Sequence, residues 1–147
     1  MKTVKTALIF ATLFGIQTLF ADSLNQDKVI NSISTQLIEN ILERIDSDYK
    51  EIGNGVYKFK TDDYTIILFN KNDDVLLYAL FNSGRISQSR INEWNKTKRF
   101  SRAYLDKDDD PVLESDLDVE GGVTIVTLIR FLATFAASVK QFASDIE

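Results

Sequence analysis

Seven consecutive residues, Val75-Leu76-Leu77-Tyr78-Ala79-Leu80-Phe81, carry no charge and no turn former, and they constrain the fold more than any other stretch of the chain. The run is short for a helix and is bounded by turn residues on both sides, so it reads as a strand. Successive strand side chains point to opposite faces, which puts Val75, Leu77, Ala79 and Phe81 on one side and Leu76, Tyr78 and Leu80 on the other. Both sides are apolar. The middle of this sheet should therefore be covered on both faces, and one helix layer cannot do that alone.

The flanking sequence supplies the rest of the sheet. Residues 64–69 form a second β-rich run, Tyr64-Thr65-Ile66-Ile67-Leu68-Phe69, and Asn70-Lys71-Asn72-Asp73-Asp74 is the turn between the two. Residues 56–60 alternate apolar and basic side chains with Tyr57 and Phe59 sharing a face, and Thr61-Asp62-Asp63 turns them into the next strand. Upstream, Val29, Ile30, Ile33, Leu37, Ile38, Ile41, Leu42 and Ile45 recur at helical spacing. They predict an amphipathic helix over about residues 26–46, capped by Asn25 or Asp27. After Asn82-Ser83-Gly84, Ser87 can cap a short helix through about Lys96 that sets Ile91 and Trp94 on one side. Strands near 100–106 and 112–118 follow, joined by Asp106-Lys107-Asp108-Asp109-Asp110-Pro111. Gly121-Gly122 releases the chain into a long final helix with only a narrow polar stripe of Thr124, Thr127, Arg130, Thr134, Ser138 and Gln141. The expected class is α+β: helix, three antiparallel strands, helix, two strands, long C-terminal helix, with one twisted antiparallel sheet packed by helices. The last helix is apolar enough to raise a membrane span, but Arg130 and Lys140 interrupt it, and a mid-span Arg costs ~2.5–3.5 kcal/mol.

Residues 1–21 read as an address. Lys2 and Lys5 precede an uncharged stretch from Ala7 to Phe20 in which only Thr12, Gln17 and Thr18 are polar, and Ala21 stands before Asp22. That is the pattern of a signal peptide cleaved after Ala21, which makes the expected location periplasmic and residues 22–147 a single α+β domain with no remaining membrane span. Removing the leader removes two lysines and no acids, leaving 15 basic against 22 acidic side chains, a net of −7. Such a balance argues for solubility and against nucleic acid as a partner.

The chain has no Cys and no His. It therefore lacks the commonest metal ligands and the usual general base, and Cys–His and Ser–His–Asp catalysis are impossible. No metal, no cofactor and no catalytic residue are expected. An enzyme would have to run on carboxylates, Lys, Tyr or a Ser–Lys pair. Asp106, Asp108 and Asp110 alternate like the start of a calcium loop, but the sixth and twelfth positions hold Pro111 and Leu117 instead of Gly and Glu, so a solvated hairpin tip is the better reading.

The wording of residues 92–124 is more specific. Asn92-Glu93-Trp94-Asn95, Arg99-Phe100-Ser101-Arg102-Ala103-Tyr104, Asp110-Pro111-Val112-Leu113-Glu114 and Asp116-Leu117-Asp118-Val119-Glu120-Gly121-Gly122-Val123-Thr124 together resemble the signature of the YbjN-domain family. The resemblance implies a fold similar to the type III secretion chaperones and a regulatory role in sensory transduction. It supplies a fold and a habit of pairing, with no substrate. One departure is Asp109, where such sequences usually have Gly, which suggests a wider hairpin.

Trp94, Asn92 and Asn95, with Arg99 and Arg102, form the candidate interaction surface, since exposed Trp and amides are common anchors. The competing reading makes Trp94 core and the amides structural. Charge is also segregated: residues 85–102 carry a net of +5 and residues 106–120 a net of −7, able to pair within one sheet or across a subunit boundary. The expected function is a non-enzymatic, chaperone-like or regulatory protein-interaction module, a homodimer held by apolar contacts. The rival is a small-ligand carrier or a carboxylate-based hydrolase, which would need a pocket holding two carboxylates of raised pKa.

Overall fold

The computed structural model describes residue 25, residues 27–81 and residues 86–146. The proposed leader, Asn82-Ser83-Gly84 and Arg85 of the basic block lie outside the described residues.

Among the described residues three helices and eight strands follow one another as β1 (Val29–Ile30), α1 (Thr35–Ile45), β2 (Lys50–Gly53), β3 (Val56–Thr61), β4 (Tyr64–Asn70), β5 (Asp74–Leu80), α2 (Gln88–Thr97), β6 (Arg102–Leu105), β7 (Pro111–Asp118), β8 (Val123–Thr124) and α3 (Ile125–Ile146). Six of the strands form one antiparallel sheet in the order β2-β3-β4-β5-β7-β6. The α+β class and the long final helix are as expected.

Three local expectations fail for identifiable reasons. The first helix begins at Thr35 and not near residue 26. Val29 and Ile30 spend their apolar side of the pattern on an antiparallel pair with Thr124 and Val123. Ser34, in extended geometry, then caps the helix by accepting a hydrogen bond from the Leu37 amide at 3.2 Å. Strand β2 was not visible in the sequence because all four of its residues are exposed, so no burial pattern marks it. Finally, the sheet is not covered on both faces: among the described residues every helix packs on one side.

That side is the core. Tyr57 and Phe59 of β3, Ile66 and Leu68 of β4, Val75, Leu77 and Ala79 of β5, Ala103 of β6 and Leu113 of β7 are buried together. Helix α3 lies against β4, β5 and β7, burying Leu128, Leu132, Phe135, Val139 and Phe142. The Phe142 ring meets Phe81 at 5.1 Å and Trp94 at 4.9 Å, both edge-on, which joins sheet, α2 and α3 at one point. By length and composition α3 is able to cross a membrane, but its apolar stripe is spent on the sheet. Arg130 and Lys140 lie on its exposed side, where Lys140 reaches Asp62 at 3.0 Å.

Candidate functional site

The other face of the sheet is the most unusual surface of the molecule, and the strand register defines it. One row across it runs Val56, Phe69, Leu76, Asp116. The next runs Lys58, Ile67, Tyr78, Glu114, Arg102. A third, on β5, β7 and β6, is Leu80, Val112, Tyr104. Val56, Ile67, Phe69, Leu76 and Tyr78 are half-buried and Leu80 is 48 % exposed, yet none of them belongs to the core cluster. Among the described residues no helix covers them.

Within this apolar field sits one buried carboxylate. Glu114 is 6 % exposed. It is held by Arg102 directly across from it on β6, and its other oxygen accepts a hydrogen bond from the Tyr104 hydroxyl at 2.9 Å. Burial is the larger cause that pushes the Tyr104 hydroxyl up to about 12, and the hydrogen bond to Glu114 reinforces it. Tyr78, beside Glu114 on β5, is also raised, by burial first and then by the charges of Asp106 and Glu114. The arrangement holds protons on both phenols at neutral pH and neutralises the carboxylate with a guanidinium. It is suited to holding a surface in one shape, and it offers no activated nucleophile.

The structure separates the residues that the sequence grouped. Trp94 is a core residue: its ring packs on Phe142, and its indole N–H donates to Ser101 Oγ at 3.3 Å. Asn95 is tied to the backbone of Ala103 by two hydrogen bonds of 2.8 Å. Asn92 is exposed and accepts from Gln88 on its own helix, and Arg99 is exposed. Arg102 alone reaches the open face. The charge blocks meet through Arg102 and Glu114, whereas Lys98 turns away to Asp145 at 3.5 Å and Asp116 and Asp118 stay exposed. Glu114, Tyr78 and Tyr104 were missed. The one signal for them was a glutamate inside the apolar opening of β7, two residues along from Val112 on the same face.

A groove of about 310 Å³ lies between α2 and α3, lined by Arg90, Trp94, Lys98, Phe142 and the two carboxylates Glu93 and Asp145. Its size is at the bottom of the usual ligand-site range. Lys98 pairs with the Asp145 carboxylate and Arg90 donates to the Asp145 carbonyl at 2.7 Å, so Asp145 and both cations of the groove are already engaged. The Asp106 carboxylate, at the head of the acidic turn, accepts from the amides of Asp108 and Asp110 and so holds the turn itself.

A family profile described as "putative bacterial sensory transduction regulator" matches residues 34–147, from the cap of α1 to the end of the chain. The chain belongs to the YbjN family. No curated protein matches it. The YbjN match takes in the whole six-stranded sheet and the three described helices, and leaves out β1. It carries a regulatory description and no reaction. The departure at Asp109 resolves simply: the β6–β7 connection spans residues 106–110, and Asp109 itself occupies the left-handed region with φ 65° where a Gly would sit more easily.

Proposed function

We propose that this YbjN protein is an exported, non-enzymatic interaction module that acts as a regulatory or chaperone-like partner by binding protein on the open face of its sheet. The observation that carries this reading is the row Ile67, Tyr78, Glu114 with its neighbours Phe69, Leu76 and Leu80, an apolar strand surface that no described helix covers. Apolar surface left in water costs roughly 25 cal/mol per Å², and a contiguous patch of this kind marks an interaction site. The family's regulatory description is consistent with that use. Export to the periplasm is supported by the pattern of residues 1–21.

A photo-crosslinking group placed at position 78, on the open face, should give protein adducts in the periplasm. The same group at position 137, exposed on α3, should give far fewer. Equal yields at both positions would remove the open face as the binding surface. Amino-terminal sequencing of the recovered protein should begin at Asp22, and an intact Met1 would count against export.

A further inference from the structure

Two pairs of like charges stand at opposite corners of the open face. Lys50 of β2 lies directly across from Lys58 of β3, and Asp74 of β5 directly across from Asp118 of β7. Like charges set opposite one another on neighbouring strands destabilise a sheet. None of the four is in an ion pair among the described residues, so the fold does not offset either repulsion. The two pairs are three strands apart across the sheet and four residues apart along it. With strands about 4.8 Å apart and a rise of about 3.4 Å per residue, that is roughly 20 Å from corner to corner. The line joining them passes over Phe69, with Val56, Ile67 and Leu76 beside it, all half-buried.

We infer that the open face takes an amphipathic helix of another protein, about 13 residues long, laid from the aspartate corner to the lysine corner with its amino terminus over Asp74 and Asp118. The inference rests on the reading of the open face as an interaction surface and names its occupant. A helix carries about half a positive charge at its amino terminus and half a negative charge at its carboxyl terminus. In this polarity each end meets the opposite charge, and both repulsions are relieved by one ligand. The reverse polarity sets like against like at both corners. Between the corners the apolar stripe of the helix covers Phe69 and its three neighbours. A helix this short is marginal alone, so the segment gains its structure on docking.

An extended segment fits less well. Its backbone groups would need partners, and the inner strands of the sheet are already paired on both sides. The edges are closed to strand addition. Asn95 occupies both backbone groups of Ala103 on the β6 edge. At the other edge β2 is four residues long, carries Lys50 and Glu51, and has a register irregularity between Glu51 and Gly53. Short, charged and bulged edges resist pairing. A helix arrives with its own hydrogen bonds made and asks the face only for apolar contact and charge.

The test uses the protein as recovered from the cell and two displayed pools of peptides about 14 residues long, with Leu, Ile, Phe and Met varied along one helical face. One pool has Lys in the first turn and Glu in the last; the other has these exchanged. At low salt, peptides selected from the first pool should bind about tenfold more tightly than the same sequences with the end charges exchanged, and should gain helical circular dichroism on binding. The exchanged sequences are the better isolated helices, so helicity alone would give the opposite order. Lys50→Glu and Asp74→Lys each turn a like-charge pair into an opposite one. Each should raise the melting temperature while weakening the first pool's peptides by about threefold, and the two together should erase the preference. Phe69→Asp should abolish binding, with a melting curve to confirm the fold. Equal binding of both end-charge versions, or preference for the exchanged one, overturns the inference. So does a dimer whose formation displaces the peptides, which would put a second copy on the face. Peptides of neither pool binding, with crosslinks at position 78 to other proteins, overturns the helix and leaves the open face as the binding surface. Absence of both peptide binding and crosslinks removes the open-face reading itself.

Discussion

Asn95, on α2, hydrogen-bonds both backbone polar groups of Ala103: its Nδ2 donates to the carbonyl and its Oδ1 accepts from the amide, each at 2.8 Å. One side chain thus does for the β6 edge what a neighbouring strand would do. Asn95→Ala should leave those groups without a protein partner and destabilise the fold by about 1–3 kcal/mol. Urea unfolding measures that loss. The same variant should show concentration-dependent aggregation that the parent lacks, because an uncovered edge templates pairing. A variant as stable and as soluble as the parent would show that the edge is protected by something other than Asn95.

A second buried group works in the opposite direction. The Tyr57 side chain is fully buried and its hydroxyl has no hydrogen-bond partner, Thr35 lying nearby but outside good geometry. Burying an unpaired hydroxyl costs about 1–3 kcal/mol. Tyr57→Phe should therefore raise the melting temperature, where removal of a buried aromatic hydroxyl ordinarily lowers it. A fall would mean the hydroxyl is satisfied.

Two turn positions should respond to substitution with opposite sign. Asp109 is held at φ 65°, so Asp109→Gly should stabilise the fold by about 0.5–1 kcal/mol, the relief of left-handed strain less the entropy of a freer unfolded chain. Gly55 sits at φ 71°, and a Cβ there would stand 2.6 Å from the Asn70 carbonyl oxygen. Gly55→Ala should cost more than about 2 kcal/mol, since strain and a backbone clash add. Chemical denaturation of the pair decides both.

The open face also makes a pH prediction. Tyr104 has a folded-state pKa near 12, above the ordinary 10.0, chiefly from burial and then from its bond to Glu114. Between those values the unfolded chain has lost a proton that the native one keeps. Stability from this group is complete below pH 10 and is lost as pH rises towards 12. Following tyrosinate absorbance, Tyr104→Phe should remove the latest-titrating component of the native protein. A titration curve of unchanged shape would show that Tyr104 is not the shielded phenol.

Most of the sheet was legible because β3, β4, β5 and β7 alternate or run apolar between clear turn signals. The apolar faces of α1 and α3 declared themselves by period. What stayed hidden has a common cause. Strand β2 buries nothing, and β1 and β8 are two residues each, so all three are made by pairing that no local pattern records. Val29 and Ile30 even fit the helical period and were assigned to the wrong element. The site suffered similarly. Trp94 and Asn95 were conspicuous as residue types, yet both are spent on structure, while Glu114 and Tyr78 become neighbours only through the β5–β7 register, which joins segments separated by a helix and a strand.

The small ribbon of β1 and β8 has a consequence for the order in which the molecule is completed. Val29 finds its partner at Thr124, and Gly122 at φ 92° leaves just enough room for the Val29 side chain, 3.2 Å from where a Cβ would stand. During synthesis β1 emerges early, yet its partner strand β8 is made only just before the last helix. Its closure spans about two thirds of the sequence, the kind of contact that forms late. Val29 and Ile30 therefore take their places only after the strands of the main sheet have been made. In the finished protein, amide exchange at Ile30 should be no slower than exchange at the start of α3, since the first cannot be ordered without the second.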